Sequence, residues 1–167
     1  MTEIYRAGSQ LTKVKAFMVV VLLATAGALY WGWNLFNTYG TAPGDGGVLA
    51  PVGQRLAWGL TVAGLGLALL AGMWIYGRQY AVRMGYDAAS DTLHIYTLNL
   101  LAARLEVHPA ADVVASTWHH GQMDTGDISV NAPWFFVKLK GRSWRLIVDG
   151  QGYFPEPKLV EKLFRLD

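Results

Sequence analysis

The chain has 167 residues, 53% of them hydrophobic and only 16% charged, against about 25% charged in an ordinary soluble domain. It has no cysteine, which excludes disulfides, thiolate metal sites, iron–sulfur clusters and a cysteine nucleophile. Its formal net charge of +2 does not suit a basic nucleic-acid binder, but the charge is unevenly spread. Residues 1–83 carry six Lys/Arg against Glu3 and Asp45, leaving +4, whereas residues 84–167 carry eight basic and ten acidic side chains, leaving −2. Two unlike pieces are joined in one chain.

Residues 1–15 read as a short leader containing Arg6, Lys13 and Lys15. Ala16 to Phe36 and Leu56 to Gly77 are then runs of twenty-one and twenty-two residues without a charge. As helices they span about 31–33 Å, enough to cross the hydrocarbon core of a bilayer. The first run is too long for a signal-peptide core and ends in aromatics rather than a small-residue cleavage site. Two transmembrane helices are therefore expected at 16–36 and 56–77, joined by a Gly/Pro-rich loop at 37–55. The GDGG of that loop has no preceding strand and no following Lys-Ser/Thr, so it is not a phosphate loop.

Basic residues flank the outer ends of the pair (Arg6, Lys13, Lys15, then Arg78 and Arg83), while the loop has only Arg55. This bias places both termini on the positive side, the matrix of a mitochondrion or the cytoplasm of a bacterium. Small residues recur every fourth position at Ala24, Ala28 and Gly32, and at Gly64, Ala68 and Gly72. Such stripes let helix backbones approach closely in lipid, so they are expected either to face each other or to dock a partner. No Asp, Glu, Lys, Arg or His lies within either span, so the side chains of a proton relay or a bis-histidine haem site are not there.

From residue 80 to 167 the pattern becomes alternating. Strands are expected at Tyr80–Tyr86, Thr92–Leu98, Ala103–Val107, Val113–Trp118, Trp134–Lys140 and Ser143–Val148. Gly141-Arg142 reads as a two-residue type II′ turn between the last two. Pro155-Glu156-Pro157 opens a terminal helix with an apolar stripe of Leu159, Val160, Leu163 and Leu166. The expected fold class is thus membrane α+β: a two-helix hairpin followed by a small strand-rich, pleckstrin-homology-like domain with a C-terminal helix.

Chemistry is sparse. His119 and His120 are adjacent and so point to opposite sides of a strand; with Asp124 and Asp127 they give only a loose metal-like spacing. Glu106 and Asp112 read as edge and turn residues, and no serine sits in a nucleophile motif. No catalytic, cofactor or metal residue is assigned, and no small-molecule substrate is expected. Lys138, Lys140, Arg142 and Arg145 alternate along the last hairpin; they guard a sheet edge or, in a second reading, form a basic patch for anionic lipid or RNA.

The stretch WFFVKLKGRSWRLIVDGQGYFPEPKLVEKLF is similar to the closing segment of the mitochondrial two-helix family that includes transmembrane proteins 70, 186 and 223. In 223-type members a basic strand, a K-G-R turn and an aromatic–aliphatic strand precede a D-x-x-G-x-F-P-x-x-K-L run. Here that run is Asp149, Gly152, Phe154, Pro155, Lys158 and Leu159. The short leader and the Ala/Gly-dense spans depart from the family pattern. The resemblance implies a non-catalytic protein of the mitochondrial inner membrane that supports assembly of a respiratory-chain complex or stays on as an accessory subunit. Cytochrome c oxidase is the complex that the 223 type implies, with membrane lipids and respiratory subunits as partners.

Overall fold

The computed structural model describes residues 1–42, 44, 46–99, 102–124 and 129–166, the side chains of residues 122–124 and 129–131 excepted. The elements run β1 (Thr2–Arg6), α1 (Ser9–Thr38), α2 (Val52–Gln79), β2 (Ala81–Asp87), β3 (Thr92–Asn99) and β4 (Ala102–Pro109). There follow a short 3-10 turn (Ala110–Asp112), β5 (Val113–His119), β6 (Gln122–Asp124), β7 (Ser129–Asn131), β8 (Trp134–Leu139), β9 (Leu146–Asp149) and α3 (Pro157–Phe164). The chain divides into two compact units, residues 16–74 and residues 1–15 with 75–167.

The first unit is the helical hairpin. Both helices are long and apolar enough to cross a membrane, and only 17% of the most apolar window of each is buried. A core helix of a soluble protein would be mostly covered; these expose Leu23, Trp31, Leu60 and Leu65, each more than 60% accessible. Lipid is the solvent that suits such a surface. On α1 the buried positions are Met18, Val21, Thr25 and Gly32, with Ala28 half-buried. On α2, within this unit, they are Gly59, Gly66 and Met73, with Ala63 and Leu70 half-buried. Steps of three and four alternate on both, the 3.5-residue repeat of a left-handed helix pair.

The second unit is strand-rich. One sheet has the order β1-β2-β3-β4 and another β5-β8-β9, all antiparallel, with β6 and β7 forming a separate ribbon. Alternation drives burial: Leu93 and Ile95 on β3, and Phe135, Val137 and Leu139 on β8, are fully covered. Register shifts at Glu3/Tyr5 and at Ala81/Arg83 put residues an odd number apart on the core side, so Ile4 and Tyr5 are both buried, as are Ala81 and Met84. Val160 and Phe164 of α3 close this core. Pro157 stands in its first turn, and Arg165 ends the helix in the left-handed region at φ 52°.

Three expectations change. The leader is not a tail: residues 2–6 form β1, paired with β2 on the far side of both apolar helices in sequence. The last hairpin is looser than a two-residue turn. Leu139 accepts from the Arg142 amide, and Gly141 sits third in that turn with φ 75°, the pattern of type II rather than II′. The final strand accordingly begins at Leu146 instead of Ser143.

Candidate functional site

In the hairpin, close approach is built from missing side chains. A Cβ placed on Gly32 would lie 2.6 Å from the Gly59 carbonyl oxygen, and one on Gly59 would lie 2.8 Å from that of Gly32. A Cβ on Gly66 would meet that of Ala28 at 2.6 Å. Thr25 seals the seam: its hydroxyl donates to the Val21 carbonyl at 2.8 Å and lies 3.0 Å from the Gly66 carbonyl. At the loop end Arg55 donates to the Phe36 carbonyl at 3.1 Å and lies over that ring at 5.4 Å.

Of the two small-residue stripes, the structure thus brings Ala28 and Gly32 into the seam and leaves Ala24 exposed. On α2 it uses Gly59, Ala63 and Gly66, not the expected Gly64, Ala68 and Gly72. Those three are exposed, and a Cβ on Gly64 or Gly72 would meet nothing within 4 Å. Four-residue spacing picks out one row of small residues, but the helices meet along a seven-residue repeat. Gly59 to Gly66 and Thr25 to Gly32 were the signal for it.

The basic cluster is also rearranged. Lys138, Lys140 and Arg145 are exposed, but Arg142 turns inward, its side chain 10% accessible. Its guanidinium pairs with Glu106 at 3.1 Å and donates to the Arg78 carbonyl at 2.6 Å. Burial pulls its pKa down and the Glu106 charge opposes that pull. Glu106 also faces Arg104 at 3.8 Å and His108 at 3.6 Å. Spacing alone put Arg142 with the lysines; the turn at Gly141 breaks the strand's alternation before it reaches that residue. Glu106, read as an ordinary edge residue, is the centre of this network.

The two adjacent histidines part as alternation requires. The His119 ring stacks on Trp134 at 5.5 Å and meets Phe136 edge-on at 5.2 Å, while His120 approaches Trp118 at 6.5 Å. Asp127 and the Asp124 side chain lie outside the described residues. Among the described residues no three His, Cys, Asp or Glu gather in a way that could hold a metal.

The D-x-x-G-x-F-P-x-x-K-L run works as a clasp on β1. The Asp149 amide donates to the Tyr5 hydroxyl at 3.2 Å, and the Asp149 carboxylate accepts the Gln151 amide at 2.8 Å. Gly152 leaves room for the Tyr5 ring, which a Cβ would overlap. Arg6 and Tyr153 exchange backbone hydrogen bonds at 2.9 and 2.7 Å. Phe154 packs on Tyr5 and on Phe135, with centroids 5.0 and 6.3 Å apart. Leu159 is half-buried against the core, Pro155 is half-buried and Lys158 is exposed. Burial drives the Tyr5 hydroxyl well above the usual tyrosine range, so it stays protonated. Across β1, Glu3 binds Arg6 at 2.6 Å and Arg83 at 2.8 Å, and the Arg6 hydrogen bond foremost holds its carboxyl below the ordinary value.

No curated protein matches the chain significantly. The TMEM70/TMEM186/TMEM223 protein family does, over residues 47–166, which takes in α2, the strands from β2 to β9 and α3. With that match over well more than half its length, the chain belongs to the TMEM70/TMEM186/TMEM223 protein family, which is associated with assembly of respiratory complexes.

Proposed function

We propose that this protein is a non-catalytic membrane anchor that supports assembly of a respiratory-chain complex, cytochrome c oxidase in the first instance, and can remain on it as an accessory subunit. Its place is the mitochondrial inner membrane with both termini in the matrix. The observation that carries the reading is the outer row of α2. Gly64, Ala68 and Gly72 take no part in the seam, yet they form a smooth strip of the kind that lets another transmembrane helix come close. Family membership supplies the class of partner. The absence of charged residues and histidine from both spans fits a holding role rather than transport. Pairing of β1 with β2 supports termini on one side, because the strand before the first span bonds the strand after the second.

The test is native electrophoresis of mildly solubilised inner membranes. The protein is expected to comigrate with cytochrome c oxidase subunits, and Gly64→Leu with Gly72→Leu should abolish comigration while the purified variant melts like the parent. Migration of the parent chain only as a free species would overturn the proposal. Comigration with another respiratory complex would overturn the choice of the oxidase.

A further inference from the structure

A pocket of about 310 Å³ opens on the outer face of the β5-β8-β9 sheet, with Tyr76, Tyr80, Trp134, Phe136, Ile147 and Asp149 in its walls beside Ala132 and Pro133. Four of the eight lining residues are aromatic. Trp134 and Phe136 come from alternate positions of β8, and His119 backs both rings. Tyr76 and Tyr80 stand one helical turn apart where α2 ends, with ring centroids 5.7 Å apart, and a parallel bridge from Tyr80 to Ile147 fixes that exit against β9. The walls are therefore held in place before any ligand arrives.

Two polar groups stand in the wall, the Tyr80 hydroxyl and the Asp149 carboxylate. Tyr80 is 2% accessible, and its buried hydroxyl faces the Asp149 carboxylate. Asp149 makes no ion pair among the described residues; its carboxylate accepts the Gln151 amide and lies beside the Tyr80 hydroxyl. No Lys or Arg lines the pocket. Aromatic walls around a single carboxylate disfavour an anion and suit a cation that carries its own apolar surface, as the ring faces attract positive charge and the methyl groups displace water. A bare ammonium or guanidinium would give up more hydration on entering. Tyr76 is the last residue but one of the apolar run Leu56–Gly77, the stretch of a span where aromatics meet lipid headgroups.

We propose that this pocket binds the trimethylammonium group of a choline phospholipid, with Tyr76, Tyr80, Trp134 and Phe136 as the cage and Asp149 as the counter-charge. The pocket would then fix the protein's depth in the membrane by recognising one headgroup rather than by general affinity for lipid.

The full chain in maltoside micelles, free of choline detergents, is titrated calorimetrically with dihexanoyl phosphatidylcholine. Parallel titrations use its isostere with tert-butyl in place of trimethylammonium, dihexanoyl phosphatidylglycerol, and trimethyl-lysine amide. The choline lipid is expected to bind saturably, and the isostere, which lacks the cation but keeps the phosphate, about tenfold more weakly. Asp149→Asn keeps the oxygen that caps Gln151; it should erase most of that difference while circular dichroism and melting stay near the parent. Equal binding of choline lipid and isostere would overturn the proposal, as would a preference for phosphatidylglycerol. Binding of trimethyl-lysine amide without the choline lipid would assign the cage to a protein partner and overturn the lipid. If Asp149→Asn does not fold, the isostere comparison on the unaltered chain still decides.

Discussion

The hairpin and the strand-rich unit are packed by opposite means. In the hairpin the contact points are absences: Gly32, Gly59 and Gly66 let backbone meet backbone, and the large side chains face outward. In the strand-rich unit the contact points are bulky groups, with Tyr5, Tyr80, Phe135 and Phe164 fully buried. The difference lies in the solvent. Lipid gives helices no reward for hiding Leu or Trp, so close approach and dispersion hold them together. Water rewards every covered apolar surface, and aromatic rings cover the most.

The widest contrast comes from glycines that sit in the two settings. Gly152→Leu forces a side chain onto the Tyr5 ring and the Arg6 carbonyl, and should cost about 3 kcal/mol. Residues 1–8 should then become sensitive to protease while the helical content in circular dichroism persists. A variant with parental stability and a protected β1 would remove the clasp as described.

Next in size is a pair within the hairpin. Gly66→Leu drives into Ala28 and should cost about 2 kcal/mol, read as a lower melting temperature in detergent. Gly64→Leu meets open space and should change melting by no more than about 0.5 kcal/mol. Equal effects would mean that the seam does not follow the seven-residue repeat.

Thr25→Val keeps the shape of the seam but removes the hydroxyl beside the Gly66 carbonyl, at a cost of about 0.6 kcal/mol. The same measurement checks it. A larger loss would show that the polar contact matters more to this hairpin than its steric fit.

The smallest effect is acid-dependent and belongs to β1. The Glu3 carboxyl is held below its ordinary 4.5 by Arg6 and Arg83. A depressed acid adds stability that is fully present above the unfolded value and is lost as pH falls through the folded one. Protection of the residue 2–6 amides, corrected for the intrinsic pH dependence of exchange, should therefore fall below about pH 4 and be flat from about pH 5 to 7. Glu3→Gln should remove the dependence, and a slope retained in that variant would point to another carboxylate.

Much of this was legible in the residues. The two apolar runs announced the helices, and alternation found the strands from β2 to β5 with β8 and part of β9, because each sheet has one wet face and one dry face. Less visible was β1. Five residues, TEIYR, are too few to declare a strand, and their partner begins at Ala81, beyond both helices. The working face of α2 was hidden for another reason. Where nearly every side chain is apolar, hydrophobicity carries no direction, and only the seven-residue interval between Gly59 and Gly66 marks the seam. Arg142 was misplaced because alternation holds only while a strand continues, and Gly141 ends it.

The clasp on Tyr5 also has a consequence for biosynthesis. On the ribosome, the first strand emerges long before its partner from Ala81 and the clasp from Asp149 exist. Until then Ile4 and Tyr5 are uncovered, and the chain must insert both spans before the loop they form can close. Release of a finished fold is thereby conditional on correct threading: a copy that leaves one helix out of the bilayer strands its two ends on opposite sides and never completes its core.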